Sequence, residues 1–147
     1  MSEAIISHEN AGLDLIVAGE KLTVLASSEQ TGSYEVFHQE GGEGSGPPPH
    51  CHPWDEAFYI TRGEITFGIG EKSAVGRSGT FVHVPGGSMH WFRFGAGGGE
   101  MVSVTSHGNA SRMFTEISRA TSLQKPDPSK MVEIAARYGG SFAAPPR

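Results

Sequence analysis

The sequence predicts an all-β fold, an antiparallel double sheet of the jelly-roll type forming a β-barrel, with two short C-terminal α-helices packed outside. Three observations lead there. Short apolar or alternating runs recur at hairpin spacing with no amphipathic helix between them. Glycine makes up 21 of the 147 residues, which suits tight turns between strands better than a helical bundle. Only in the tail do apolar residues take up helical spacing.

Residues 1–12 read as an N-terminal tail. From Leu13 to Gln39 three runs are separated by AGEK and SEQTGS, both turn-like, and strands fit them better than helices. GGEGSGPPP follows, a glycine-rich loop whose three prolines stiffen the approach to His50 at the barrel rim. Glu56 to Ile69, EAFYITRGEITFGI, reads as a hairpin turning at Arg62-Gly63. Phe81 to Val84 and Met89 to Phe94 read as the next pair, around PGGS, and Glu100 to Ser106 pairs after a flexible AGGG. In the tail, Met113, Phe114 and Ile117 keep helical spacing, as do Met131, Ile134, Ala135 and Tyr138. Asp127 is the expected N-cap of the second helix, Pro128 its first position and Gly139 its stop. The organisation expected is a barrel over 13–108 and a helical extension over 109–147.

The bulk properties bound the function. The length suits one domain with a single core. A net charge of -5 and the lack of any basic run argue against nucleic acid as a partner. MSEAIISHENAGLDL has no positive stretch leading into a long apolar one, and no segment approaches the length of a membrane span. The expectation is a cytoplasmic protein with no membrane partner. One cysteine excludes an internal disulfide.

The residues that carry chemistry are His50, His52, Glu56 and His90. On a strand, His50 and His52 point the same way and Cys51 points opposite. Pro53-Trp54-Asp55 can then turn the chain so that Glu56 returns beside them. Three imidazoles and a carboxylate form a ligand set for one divalent transition-metal ion, and Fe, Mn, Ni, Co, Cu and Zn all accept it. Such a site leaves coordination positions for a bidentate oxygen substrate, O₂ or water. Glu56 carries a second, catalytic reading, as the base that takes the proton of an enol hydroxyl. Counting by twos from Glu56 puts Phe58 and Ile60 on the ligand face, and counting from His90 puts Phe92 and Phe94 there. These four read either as walls of an apolar substrate pocket or as barrel filling. His83, in the apolar run FVHVP, is a further candidate for substrate binding or proton transfer. Trp54 and Met89 flank ligands and read as lids of the mouth or as packing.

The stretch Gly44 through Gly63, GSGPPPHCHPWDEAFYITRG, resembles the first cupin motif: Gly, five residues, His-x-His, three residues, Glu, six residues, Gly. Gly79 through His90, GTFVHVPGGSMH, resembles the second: Gly, five residues, Pro-x-Gly, two residues, His. One position departs, because the second motif usually has Asn four residues after its His and this chain has Phe94. RMFTEIS and AARYGGSFAAPP resemble the tail of small single-domain cupins grouped with quercetin 2,3-dioxygenase. The resemblance implies a cupin-type barrel, the four metal ligands, and O₂ insertion into a small enolic or phenolic, flavonol-like compound. A metal-dependent isomerase or lyase acting through an enolate, and a non-enzymatic cupin that binds a small ligand, remain the alternatives. A homodimer joined through an edge strand is expected, the apolar N-terminal runs supplying the edge.

Overall fold

A computed structural model describes residues 3–121 and 127–143. In chain order the elements are β1 (Leu13–Val17), β2 (Glu20–Ala26), α1 (Ser28–Thr31), β3 (Glu35–Gly41), β4 (His50–Cys51) and β5 (Glu56–Ile69). They continue with β6 (Lys72–Gly76), β7 (Phe81–Val84), β8 (His90–Thr105), α2 (Ala110–Ala120), α3 (Pro128–Arg137) and β9 (Ser141–Phe142). All strand pairs are antiparallel.

Two long strands organise the fold. β5 and β8 pair from Glu56↔Thr105 to Ile69↔His90, with register shifts between Ile60 and Arg62 and between Gly63 and Ile65. On one side of these shifts the sheet runs β1, β2, β3, β8, β5, β7; on the other it runs β6, β5, β8, β4, β9. The expected hairpin at Arg62-Gly63 is therefore a bulge inside one strand, and the chain turns instead at Gly70 and Glu71, into β6. Gly63 adopts φ 80°, and a Cβ there would collide with the carbonyl oxygen of Gly98. A glycine that would mark a turn thus lets a strand bend while its neighbour passes close. AGGG, expected to be a flexible break, belongs to β8 opposite this bend. The expected pairing of Phe81–Val84 with Met89–Phe94 is replaced as well, since both segments pair with β5.

The bulges also reset side-chain parity. Glu56, Phe58 and Ile60 face inward, and so do Ile65 and Phe67, although the step from Ile60 to Ile65 is odd. β8 does the same between Phe94 and Met101. One core joins Phe58, Ile60, Ile65, Phe67, Val84, Phe92, Phe94 and Met101. A second joins Leu15, Val17, Leu22 and Phe37 to Met113 and Ile117 of α2 and to Ile134 and Ala135 of α3. The two helices, expected from their apolar stripes, thus cover the inner face of β1 to β3. Asp127 caps α3, its carboxylate accepting from the backbone N–H groups of Ser129 and Lys130 at 3.1 and 3.3 Å, and Gly139 follows with φ 82°. SEQTGS, expected to be a turn, contains α1.

Candidate metal centre and cavity

The strand register assembles the histidines. His50 on β4 sits directly opposite His90 on β8, and their ring centroids are 4.2 Å apart. His52 shares the parity of His50, with centroids 5.7 Å apart, and lies 4.9 Å from the ring of His90. Pro53-Trp54-Asp55 turns the chain as the sequence predicts, and Glu56 opens β5 beside them. The tryptophan is buried and stacks on the His52 ring at 4.7 Å and 13°, which fixes the plane of that imidazole. Met89 remains partly exposed.

Each imidazole is oriented by a backbone carbonyl: His50 Nδ1 by Pro48 at 2.8 Å, His52 Nδ1 by Trp54 at 3.0 Å, and His90 Nδ1 by Ser88 at 2.8 Å. A carbonyl only accepts, so Nδ1 donates, and the neutral ring keeps a lone pair on Nε2. One ligand atom from each histidine lies within 4.8 Å of the others. Glu56 Oε1 faces His52 Nε2 at 3.5 Å and His90 Nε2 at 3.6 Å. His90 Nε2 is buried with no hydrogen-bond partner among the described residues. Lone pairs confronting a carboxylate oxygen in a buried site are unfavourable without a cation between them. Three imidazoles beside a carboxylate suit a divalent first-row transition-metal ion. The residues present fit such an ion.

Electrostatics agree. His50 keeps a partly exposed edge, yet burial around its ring, reinforced by the charge of His90, lowers its pKa to about 4. It is the neutral, ligand form near pH 7. Burial alone would raise Glu56, but without an ion His52 and His90 outweigh it when they take up a proton on Nε2, by hydrogen bonding and by charge, and hold the carboxyl at about 2.

Behind the histidines lies a cavity of about 50 Å³, bordered by Val17 and Leu22, by Phe92, and by Met113, Ile117 and Met131 of the helices. His50, His52 and Glu56 border it too. Of the aromatic and aliphatic residues singled out by parity, the structure brings Phe92 to this cavity. Phe58, Ile60 and Phe94 lie in the neighbouring core and are not among its lining residues. Parity assigns a face, not a depth, and the inner face of this barrel serves both a filled core and a void. Phe94, where cupins usually have Asn, meets Phe92 edge-on at 5.9 Å and 85° and offers no polar group. His83 is exposed on the outer face of β7, because its neighbour Val84 takes the inward position opposite Glu56. The structure does not bring His83 to the site.

Two polar lining residues escaped the sequence reading. Glu20 and Gln39 are buried, and the Gln39 amide donates a hydrogen bond to Glu20 Oε1. Burial raises the Glu20 carboxyl to about 8, with the Gln39 bond opposing and the charge of Glu56 adding. The signal was available: Glu20 shares parity with Leu22, so a strand starting at Glu20 aims it inward, whereas AGEK read as a turn sets it in solvent.

Comparison with known protein families matches residues 35–106 to the Cupin domain. The chain carries a cupin domain. This cupin is 27% identical over 97 residues to quercetin 2,3-dioxygenase of Bacillus subtilis, an alignment covering 65% of the chain. The chain spans only 29% of that relative's length. An RmlC-like cupin from Shewanella frigidimarina superposes with a TM-score of 0.66 at 17% identity, covering 75% of this chain and 96% of the other. The polyketide cyclase RemF from Streptomyces resistomycificus gives 0.61 at 18% identity, covering 72% and 80%. At such identities these structures show that the cupin shares their fold. Among the described residues no helix is long and apolar enough to cross a membrane.

Proposed function

We propose that this cupin is a metal-dependent dioxygenase acting on a compact enolic or phenolic molecule. The observation that carries the reading is the convergence of three carbonyl-oriented imidazoles and a carboxylate beside a mostly apolar cavity. His50, His52 and His90, with Glu56, would hold the ion. When bound, it supplies Lewis acidity toward a substrate oxygen and, if redox-active, a route for O₂ chemistry.

The chain's own groups do the rest. Glu56 Oε1 faces the imidazoles, leaving Oε2 to take a proton from an enol hydroxyl. Val17, Met113 and Ile117 exclude water from that transfer. Size narrows the substrate: sites for drug-sized ligands occupy roughly 300 to 1,000 Å³, and this cavity holds about 50 Å³. That favours a compact enol over a flavonol, which would enter only if α2 and α3 moved away from β1 and β2.

Elemental analysis of the purified protein, then oxygen uptake with each candidate ion and a panel of compact enols and flavonols, tests the reading. About one ion per chain and substrate-dependent uptake are expected. Glu56→Gln should keep substrate binding and lose at least tenfold in turnover, measured against metal content; near wild-type turnover would remove Glu56 as the base. A second reading, an isomerase or lyase that consumes no O₂, draws support from two carboxyl side chains, Glu20 and Glu56, bordering one cavity. Product formed without oxygen uptake would favour it. A homodimer belongs to the same proposal, since β1 lies at the end of the strand order with one edge unpaired among the described residues. Sedimentation at micromolar concentration checks that, a monomer being the contrary result.

A further inference from the structure

Glu20 and Gln39 lie outside both cupin motifs, yet they border the same cavity as His50, His52 and Glu56. Both are almost wholly buried, at 2% and 4% exposure. Their bond to each other uses one polar atom of each. Glu20 Oε2 and Gln39 Oε1 are left buried with no hydrogen-bond partner among the described residues. Leaving such atoms unsatisfied is costly, so two together on the wall of an apolar void point to an occupant.

We propose that Glu20 and Gln39 form a polar subsite that receives a second, uncharged hydroxyl of the substrate whose first oxygens face the histidines. A hydroxyl both donates and accepts, so it can donate to Gln39 Oε1 and accept from Glu20 Oε2 when that carboxyl carries its proton. An anionic group is disfavoured there, because it would place a charge against the Gln39 carbonyl oxygen and beside the carboxyl groups of Glu20 and Glu56. The pair is thus a specificity determinant for a compact enol or acid bearing one extra hydroxyl, among walls otherwise made mostly of apolar side chains and the metal ligands. This rests on the metal-centred reading above.

The test uses full-length protein loaded with its ion, with ion content measured, and compares 3-hydroxypropionate with propionate by calorimetry. The hydroxy acid should bind roughly tenfold more tightly, the worth of about one well-made hydrogen bond. That ratio should fall to about one in Glu20→Leu and in Gln39→Leu. About one ion per chain with a wild-type ratio near one, with neither acid binding, or with a ratio unchanged in the variants overturns the subsite alone. Protein that takes up no ion at any loading sinks the metal-centred reading and the subsite together. A crystal structure of the wild type with 3-hydroxypropionate decides independently of variant folding. The hydroxyl should lie within hydrogen-bond distance of Glu20 or Gln39, and a structural water held between them in its place would overturn the assignment.

Discussion

A buried carboxyl such as Glu20 leaves its mark on stability as a function of pH. Its folded-state pKa is raised from 4.5 to about 8, so its contribution is present in full below 4.5 and is lost as pH rises through about 8. His50 acts in the opposite sense. Its folded-state pKa is lowered from 6.5 to about 4, so stability is full above 6.5 and falls as pH drops toward 4. Between 4.5 and 6.5 the two slopes oppose one another, and above 6.5 Glu20 acts alone. Metal-free protein should therefore lose unfolding free energy, on the order of 1 kcal/mol per pH unit, between about 6.5 and 8. Glu20→Gln should flatten that decline in urea unfolding measured at both ends of the window. An unchanged slope in the variant would place its source elsewhere.

The same residue marks how far the site could be read from the sequence. The candidate set His50, His52, Glu56 and His90 could be picked out because ligand chemistry needs rare residue types at fixed strand spacing, and the three histidines do converge. Glu20 and Gln39 were not, since a glutamate beside a glycine looks like a turn until the strand boundary is known. Phe58, Ile60 and Phe94 were placed on the correct face, but whether an inward aromatic fills the core or borders a void depends on the helices packed opposite.

At the scale of elements, what escaped the sequence was curvature. An Arg-Gly step in an alternating run signals a hairpin, yet here it is the bulge where β5 bends, stabilised by β8 bending alongside it. The tail helices were legible from their stripes and from Asp127, Pro128 and Gly139, but what they cover was not. Besides this packing, α2 is held by Glu35, a buried side chain of β3. It accepts from the Ser28 N–H at 2.9 Å, from the Ser111 N–H at 2.9 Å, and from the Ser111 hydroxyl. Its charge sits near the N-terminus of α2, where the helix dipole favours it. Glu35→Ala orphans two backbone donors at once and should cost at least about 2 kcal/mol in urea unfolding. A loss of only a few tenths would mean that apolar packing alone docks the helices.

At the scale of the whole molecule, the candidate centre joins the two halves of the barrel. His50 and His90 belong to the half with β4 and β9, while Glu56 opens β5 where it pairs with β7 and the far end of β8. An ion held by all of them would tie both halves together at one end, beside the helices that close the cavity. Metal binding is then linked to global unfolding, because an unfolded chain presents no assembled set of ligands. With free ion at one hundred times its dissociation constant, the native state gains about 2.7 kcal/mol. At roughly 2 to 4 °C per kcal/mol for a chain of this size, the melting temperature should rise by about 5 to 11 °C. His90→Ala, compared with its own metal-free form, should show little of that rise. His83→Ala should keep it in full, because His83 lies on the exposed face of β7. Equal metal-induced shifts in wild type and His90→Ala would mean that the ion binds elsewhere on the chain.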